Sequence, residues 1–423
     1  MTDAPEKAPK APEKKPSFGK AFLEALTTGN SAVVTFLAFV LALVVGGILI
    51  ILSDQEVLDQ YKYFFAAPGD AVSASWNVVA DAYTALFKGA ILDPKTLDSN
   101  YAPYIFGPLS ETVTQATPLI FGGLAVSIAF RAGLFNIGAQ GQIIIGAVFA
   151  SWVGFTLDLP APLHLLLVLL AGIVGGGLYA GLVGLLKARF GAHEVIVTIM
   201  LNHIAVLILG WLLTTSAFQR PGQQQPVGKA AHESAHLPRL FGDDLRVNFG
   251  IILALLAAGF YWWLLNRSTL GFELRAVGSN PEAARTAGMS VGRAQTVAMA
   301  LAGAMAGLVG VTQLVGTSNP GFGLTPAIDA GLGFDAITVA LLGRTKPLGT
   351  VLAALLFGAL RAGGATMQAS ANVSVDIITV IQAVIVLFVA APPLVRTIFR
   401  LRGAKRGGEG GLAAKETTGV AAA

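Results

Sequence analysis

The chain has 423 residues, 54% hydrophobic and 12% charged, and a mean hydropathy of +0.69. A soluble fold cannot hide that apolar surplus, since an average soluble domain carries about twice the charged share. The net charge of +4 does not point to nucleic acid, because the basic residues flank apolar runs; with no cysteine, disulfide frameworks, thiolate zinc sites and cysteine nucleophiles are excluded.

Residues 1–30 are rich in Lys, Pro, Ala and Glu without a periodic apolar face, and read as a disordered tail. The run from Ser31 to Leu52 would span about 33 Å as a helix, and no small-residue cleavage site follows it, so it reads as a retained anchor. Further apolar runs predict spans at 112–130, 134–157, 163–186, 194–216, 248–265, 294–315, 328–343, 349–367 and 373–391. The expectation is an all-α, polytopic integral membrane protein with about ten transmembrane helices. The segments starting at Leu134 and Ile328 are interrupted by Gly and polar residues and read as broken or re-entrant. The transmembrane domain covers 31–395, and 396–423 is a basic, Gly/Ala-rich tail.

Basic residues fix the expected orientation. Arg131, Lys187, Arg267, Arg275, Arg344 and the cluster from Arg396 to Arg406 all fall on one side, which places both termini in the cytoplasm. The outer side receives two long segments, read as surface loops: 53–111, with an amphipathic stretch at 72–92, and 217–247. Gly177 with Gly181, and Gly303 with Gly307, have the spacing that brings one helix face close to a neighbour.

The cytoplasmic segment Gly271 to Arg293 carries a local code for a short helix. Asn280 is a favoured N-cap, Pro281 suits the first helical position, Glu282 complements the positive helix end, and Gly288 can close the helix in a left-handed conformation. Such a short helix is marginal alone, so this knob, with Ala283 and Arg285 on it, implies a packing partner.

This loop resembles the coupling loop of ABC permeases of the ribose and branched-chain amino-acid importer group. AFRAGLFNIGAQGQIIIGA from Ala129, HEVIVTIMLNHIA from His193 and YIFGPLSETVTQATPLIFGGLAV from Tyr104 are similar to that group's nucleoside and simple-sugar branch, most of all to the longer permease of importers served by a basic-membrane-protein type lipoprotein. The resemblance implies a bacterial inner-membrane importer with a second permease subunit, cytoplasmic ABC ATPase subunits that bind ATP and Mg, and an external substrate-binding lipoprotein. This chain itself would be no enzyme and hold no cofactor. No G-x-x-x-x-G-K-[ST] phosphate loop occurs in it, and H-E-x-x-H is absent at His193, so neither ATP binding nor a metal site is expected.

Polar side chains within spans either glue helices together or line a watery path. The candidates for a path that takes a nucleoside or sugar are Asn136, Gln140, Gln142, Asn202, His203, Gln313, Thr317 and Asn319, with Phe135, Phe322 and Phe334 beside them to face a ring. Asp335 and Arg361 carry charge within apolar surroundings on adjacent spans and are expected to neutralise each other. The rival readings are a ribose-like sugar importer permease, a secondary transporter driven by an ion gradient, and a membrane scaffold without a path.

Overall fold

The structure is a computed structural model that describes residues 31–99, 101–317, 323–371 and 373–399. The predicted 1–30 tail, Asn319, Phe322 and nearly all of the 396–423 tail lie outside the described residues. The helices are α1 Ser31–Ser53, α2 Gln55–Tyr61, α3 Pro68–Ala90, α4 Ala102–Arg131, α5 Ala139–Thr156, α6 Ala161–Phe190, α7 Glu194–Leu212 and α8 Gly250–Arg267. They continue with α9 Thr269–Ser279, α10 Pro281–Thr286, α11 Val291–Thr312, α12 Leu332–Leu342, α13 Pro347–Ala371, α14 Val375–Ala390 and α15 Pro392–Ile398. Among the described residues, eight helices are long and apolar enough to cross a membrane, and two shorter apolar helices, α12 and most of α14, account for the other expected spans. The protein is an all-α, multi-pass membrane protein.

Two compact units divide the chain. In the smaller, which takes residues up to Val44 and from Leu387 onward, Ala38 and Val395 are buried together with Leu37 and Phe388 around them. The larger unit is Val45–Val386.

Its central helix is α4, packed against α8, α11, α12 and α13 and buried along most of its length. It starts ten residues before the predicted 112. The added turns are too polar to read as a span, but they are held at the end of the bundle: Thr112 donates to the Ala90 carbonyl at 2.5 Å and Ser110 accepts from Val247 N–H at 3.2 Å. α6, α7 and α8 turn rows of Leu, Ile, Val and Trp outward, the faces that lipid or a partner helix would cover.

α6 and α11 meet backbone to backbone. A Cβ on Gly303 would overlap the Gly176 carbonyl oxygen, and one on Gly307 the Gly172 carbonyl oxygen. On α6 the tightest approach is at Gly172 and Gly176, while Gly177 and Gly181 also face α11, their Cβ atoms sitting at 3.3 and 3.6 Å from Ala300. The two rows share the same spacing one residue apart, which the sequence alone does not separate.

Both interrupted segments are loops followed by helices. After α4 the chain reverses at Gly133, φ 72°, where Leu134 N–H donates to the Ala129 carbonyl, and α5 begins only at Ala139. After α11 a π-helical turn covers Gln313–Thr317, and the half-length α12 starts behind Ala330 and Gly331, both at positive φ. The segment at 217–247 is not a free surface loop. It caps this end of the bundle, with Phe218 and Leu237 buried, Leu237 N–H on the Val315 carbonyl and Gly228 N–H on the Leu324 carbonyl.

Gly303→Val should strongly reduce the amount of folded chain in the membrane, since overpacking against backbone costs about 1–3 kcal/mol or more. Gly181→Ala should leave it unchanged. Quantitative membrane immunoblots check both.

Candidate functional site: a docking knob and a polar path

The knob is α10. Asn280 stands at φ −157°, ψ 102°, and its Oδ1 accepts from the backbone N–H groups of Glu282 and Ala283, both at 3.1 Å. Pro281 opens the helix, and behind Thr286 the chain closes at Gly288, φ 84°, with Met289 N–H on the Ala284 carbonyl. Ala284 alone of the helix is buried, in the same core as Val277 and Ala294, while Glu282, Ala283 and Arg285 are exposed. The result is a peg anchored by one methyl and presenting a charged face.

The peg is carried by α9, which the sequence reading missed. Ser268 caps α9 by accepting from Gly271 N–H at 2.9 Å, and Leu270, Leu274 and Val277 provide its inward row. That cap and that spacing were the available signal. α9 in turn touches the turn after α4: a Cβ on Gly133 would lie 3.0 Å from Gly278 Cα, and one on Gly278 would overlap the Arg131 carbonyl oxygen.

The same turn holds the first predicted path residues. Asn136 and Gln142 exchange two amide hydrogen bonds at 3.0 and 2.9 Å, and Gly138 N–H also donates to Asn136 Oδ1. Asn202 on α7 accepts from Gly141 N–H at 2.8 Å and donates to the Ile137 carbonyl at 2.9 Å. All three amides are buried. Their polar groups are spent on each other and on the backbone, so in this conformation they brace the α4–α5 turn. Phe135 is exposed at the same end, its ring centroid 4.8 Å from that of Phe130, and its N–H donates to Glu194, which pairs with Lys187 at 2.6 Å. His203 is exposed on the outward side of α7, away from these groups.

A different set surrounds Arg361. Its Nη2 lies 2.8 Å from Asp335 Oδ2 and 2.9 Å from the Ala330 carbonyl, and its Nε is 3.1 Å from the same Asp335 oxygen. A third charge, overlooked in the sequence, is the buried Asp329, hydrogen-bonded to Gln140 and within the field of Arg361. Beside the pair opens a cavity of about 510 Å³, lined by Gln115, Phe334, Asp335, Arg361, Thr379 and Gln382. Phe334 is 57% exposed, and Gln382 is buried with its Nε2 lacking a hydrogen-bond partner among the described residues. An amide donor, a carboxylate, a guanidinium and an aromatic face thus converge within the bundle. Gln115 and Gln382 escaped the sequence reading because an amide in an apolar run does not reveal which way it faces.

At the bundle end away from the knob, Arg246 donates to both Glu111 oxygens at 3.0 Å and to the Thr317 carbonyl, while Asn248 donates to the Gly316 carbonyl at 2.9 Å. These bonds pin the capping segment to the π-turn that carries Gln313 and Thr317. Glu111 and Arg246 also border a cavity of about 960 Å³ with Asp54, Asp81, Lys88 and Tyr104, roofed by α3.

Residues 109–390 match the family described as branched-chain amino acid transport system / permease component. The chain belongs to this permease family. The permease is 42% identical to the guanosine ABC transporter permease protein NupP of Bacillus subtilis, over 76% of this chain and 88% of that protein. It is 34% identical to the nucleoside permease NupB of Lactococcus lactis over 67% of this chain and 79% of that protein, and 33% identical to a glucose ABC transporter permease of Haloferax volcanii over 76% and 83%. No solved structure matches significantly.

Asp335→Arg and Arg361→Asp should each deplete the permease from the membrane, because one partner of a pair only about one-fifth exposed is left uncompensated. The double reversal should restore most of it, as read by membrane immunoblot; two normal single variants would remove the pairing role.

Proposed function

We propose that the chain is a permease subunit of a bacterial ABC importer, that it forms part of the path for nucleosides, and that α10 docks on a separate ATPase subunit. The observation that carries the reading is the α10 peg: a capped six-residue helix with one buried methyl and an exposed charged face. A helix so short gains little from its own hydrogen bonds and is suited to be gripped. ATP and Mg would be held by the ATPase, whose two states must grip the peg differently for hydrolysis to move it. Both termini would lie in the cytoplasm with the peg, and an external binding lipoprotein would deliver solute at the opposite end, where the large charged cavity opens. A second permease subunit would cover the exposed faces.

The nucleoside assignment is supported by the guanosine and nucleoside relatives and by the chemistry around Arg361, where neutral donors and acceptors lie beside an aromatic ring. The glucose permease relative favours a second reading, uptake of a hexose, for which the same hydrogen-bonding groups would serve.

The test is uptake of labelled guanosine by the reconstituted importer. Uptake should require ATP and survive collapse of the membrane potential. The Glu282→Ala, Arg285→Ala double variant should fold normally, since the 3.2 Å pair between these residues is exposed and such pairs contribute at most about 1 kcal/mol. Its uptake should fall at least about tenfold, the effect of losing central interface contacts. Full uptake by the double variant rejects the docking role, potential-driven uptake rejects the ABC reading, and uptake of glucose without guanosine selects the hexose.

A further inference from the structure

At the knob end of the bundle, three helix termini and the side of α9 surround a cavity of about 570 Å³ that no step of the transport reading uses. Its polar lining is Arg131 at the end of α4, Asn266 at the end of α8, Arg275 on α9 and Lys346 just before α13, and it has no carboxylate. The remaining walls are apolar and open: Leu255 and Trp262 are half exposed and Leu348 is 71% exposed. Charge at helix ends above a greasy, outward-facing wall is the profile of the boundary between acyl chains and headgroups.

The three cations lack the anion that would balance them. Among the described residues none is in an ion pair. Arg131 gives one Nη2 bond to the Thr345 carbonyl while its buried Nε has no partner, and Arg275 gives only its Nε, to the Gly271 carbonyl at 3.3 Å. Lys346 is not there by the accident of a loose loop. It follows two non-glycine residues at positive φ, Arg344 at 53° and Thr345 at 52°, a costly turn held by the buried Tyr261 hydroxyl and by Arg131, both on the Thr345 carbonyl. The turn sets the lysine in the same cavity wall as Arg131.

We propose that this pocket binds the phosphate of an anionic phospholipid, with the acyl chains along Leu255, Trp262 and Leu348. Basic pockets between transmembrane helix ends suit such headgroups, and a guanidinium with free N–H groups matches phosphate oxygens. The site bridges α4, α8, α9 and α13, so the lipid would brace the helix that carries the docking peg.

The test is thermal unfolding of the full importer in phosphatidylcholine nanodiscs with and without phosphatidylglycerol. Phosphatidylglycerol should raise the unfolding midpoint of this chain by about 3 °C, the linkage expected of a ligand of the native state. The Arg275→Gln, Lys346→Gln variant, which spares the turn-holding Arg131, should lose that rise. The Arg267→Gln, Arg293→Gln variant, neutralised outside the pocket at the same end, should keep it. Inorganic phosphate added to pure phosphatidylcholine discs should give no rise. No rise in the wild type, an equal rise in the pocket variant, a loss shared by the control variant, or a full rise with inorganic phosphate would each overturn the proposal.

Discussion

Gly278 of α9 lies against the turn at Gly133 so closely that a Cβ on either residue would press on the backbone of the other. That approach is the constraint on which the rest turns. On one side of it α9 carries the α10 peg; on the other, the turn leads within three residues to Asn136, which is locked to Gln142 and, through the α5 N-terminus, to Asn202 of α7. Under the proposed docking, a force on the peg would reach α4, α5 and α7 through packed and hydrogen-bonded parts. Packed elements with discrete arrangements are the physical medium by which such couplings travel.

Lipid makes the sorting of polar groups strict. A buried amide without a partner costs free energy, and water is not at hand to repair it. The chain answers in two ways. Asn136, Gln142 and Asn202 satisfy one another and the backbone, which makes them braces. Around Arg361, Asp335 balances the charge, yet Gln382 keeps an unsatisfied donor at the edge of a cavity. The second kind of site keeps bonding capacity. The capping segment, tied by Arg246 to Glu111 and Thr317, closes the bundle end away from the peg.

Local chemistry was legible in the sequence; facing and long-range pairing were not. The helix of Asn280 to Gly288 could be read because cap, proline and closing glycine act within a few residues. The Asp335 and Arg361 contact could be read because lone charges in apolar runs demand a partner. For Asn136, Gln142 and Asn202, expected to line the path, composition did not reveal that these amides bond one another and the backbone. Glu111 and Arg246, 135 positions apart, offered no local pattern, and nothing local marks Gly172 and Gly176 as the tightest approach on α6. The α9 helix went unread because its short inward row was overshadowed by the polar residues around it.

The central claim is that α10 is gripped by a separate nucleotide-hydrolysing subunit, and site-directed cross-linking tests it most directly. The chain has no cysteine, so Ala283→Cys supplies a single thiol on the exposed face of the peg. In membranes holding the whole importer, a thiol-reactive cross-linker should join it to the ATPase, with a yield that changes between nucleotide-free and ATP-bound states. A thiol that labels freely in both states and captures no ATPase would contradict the account.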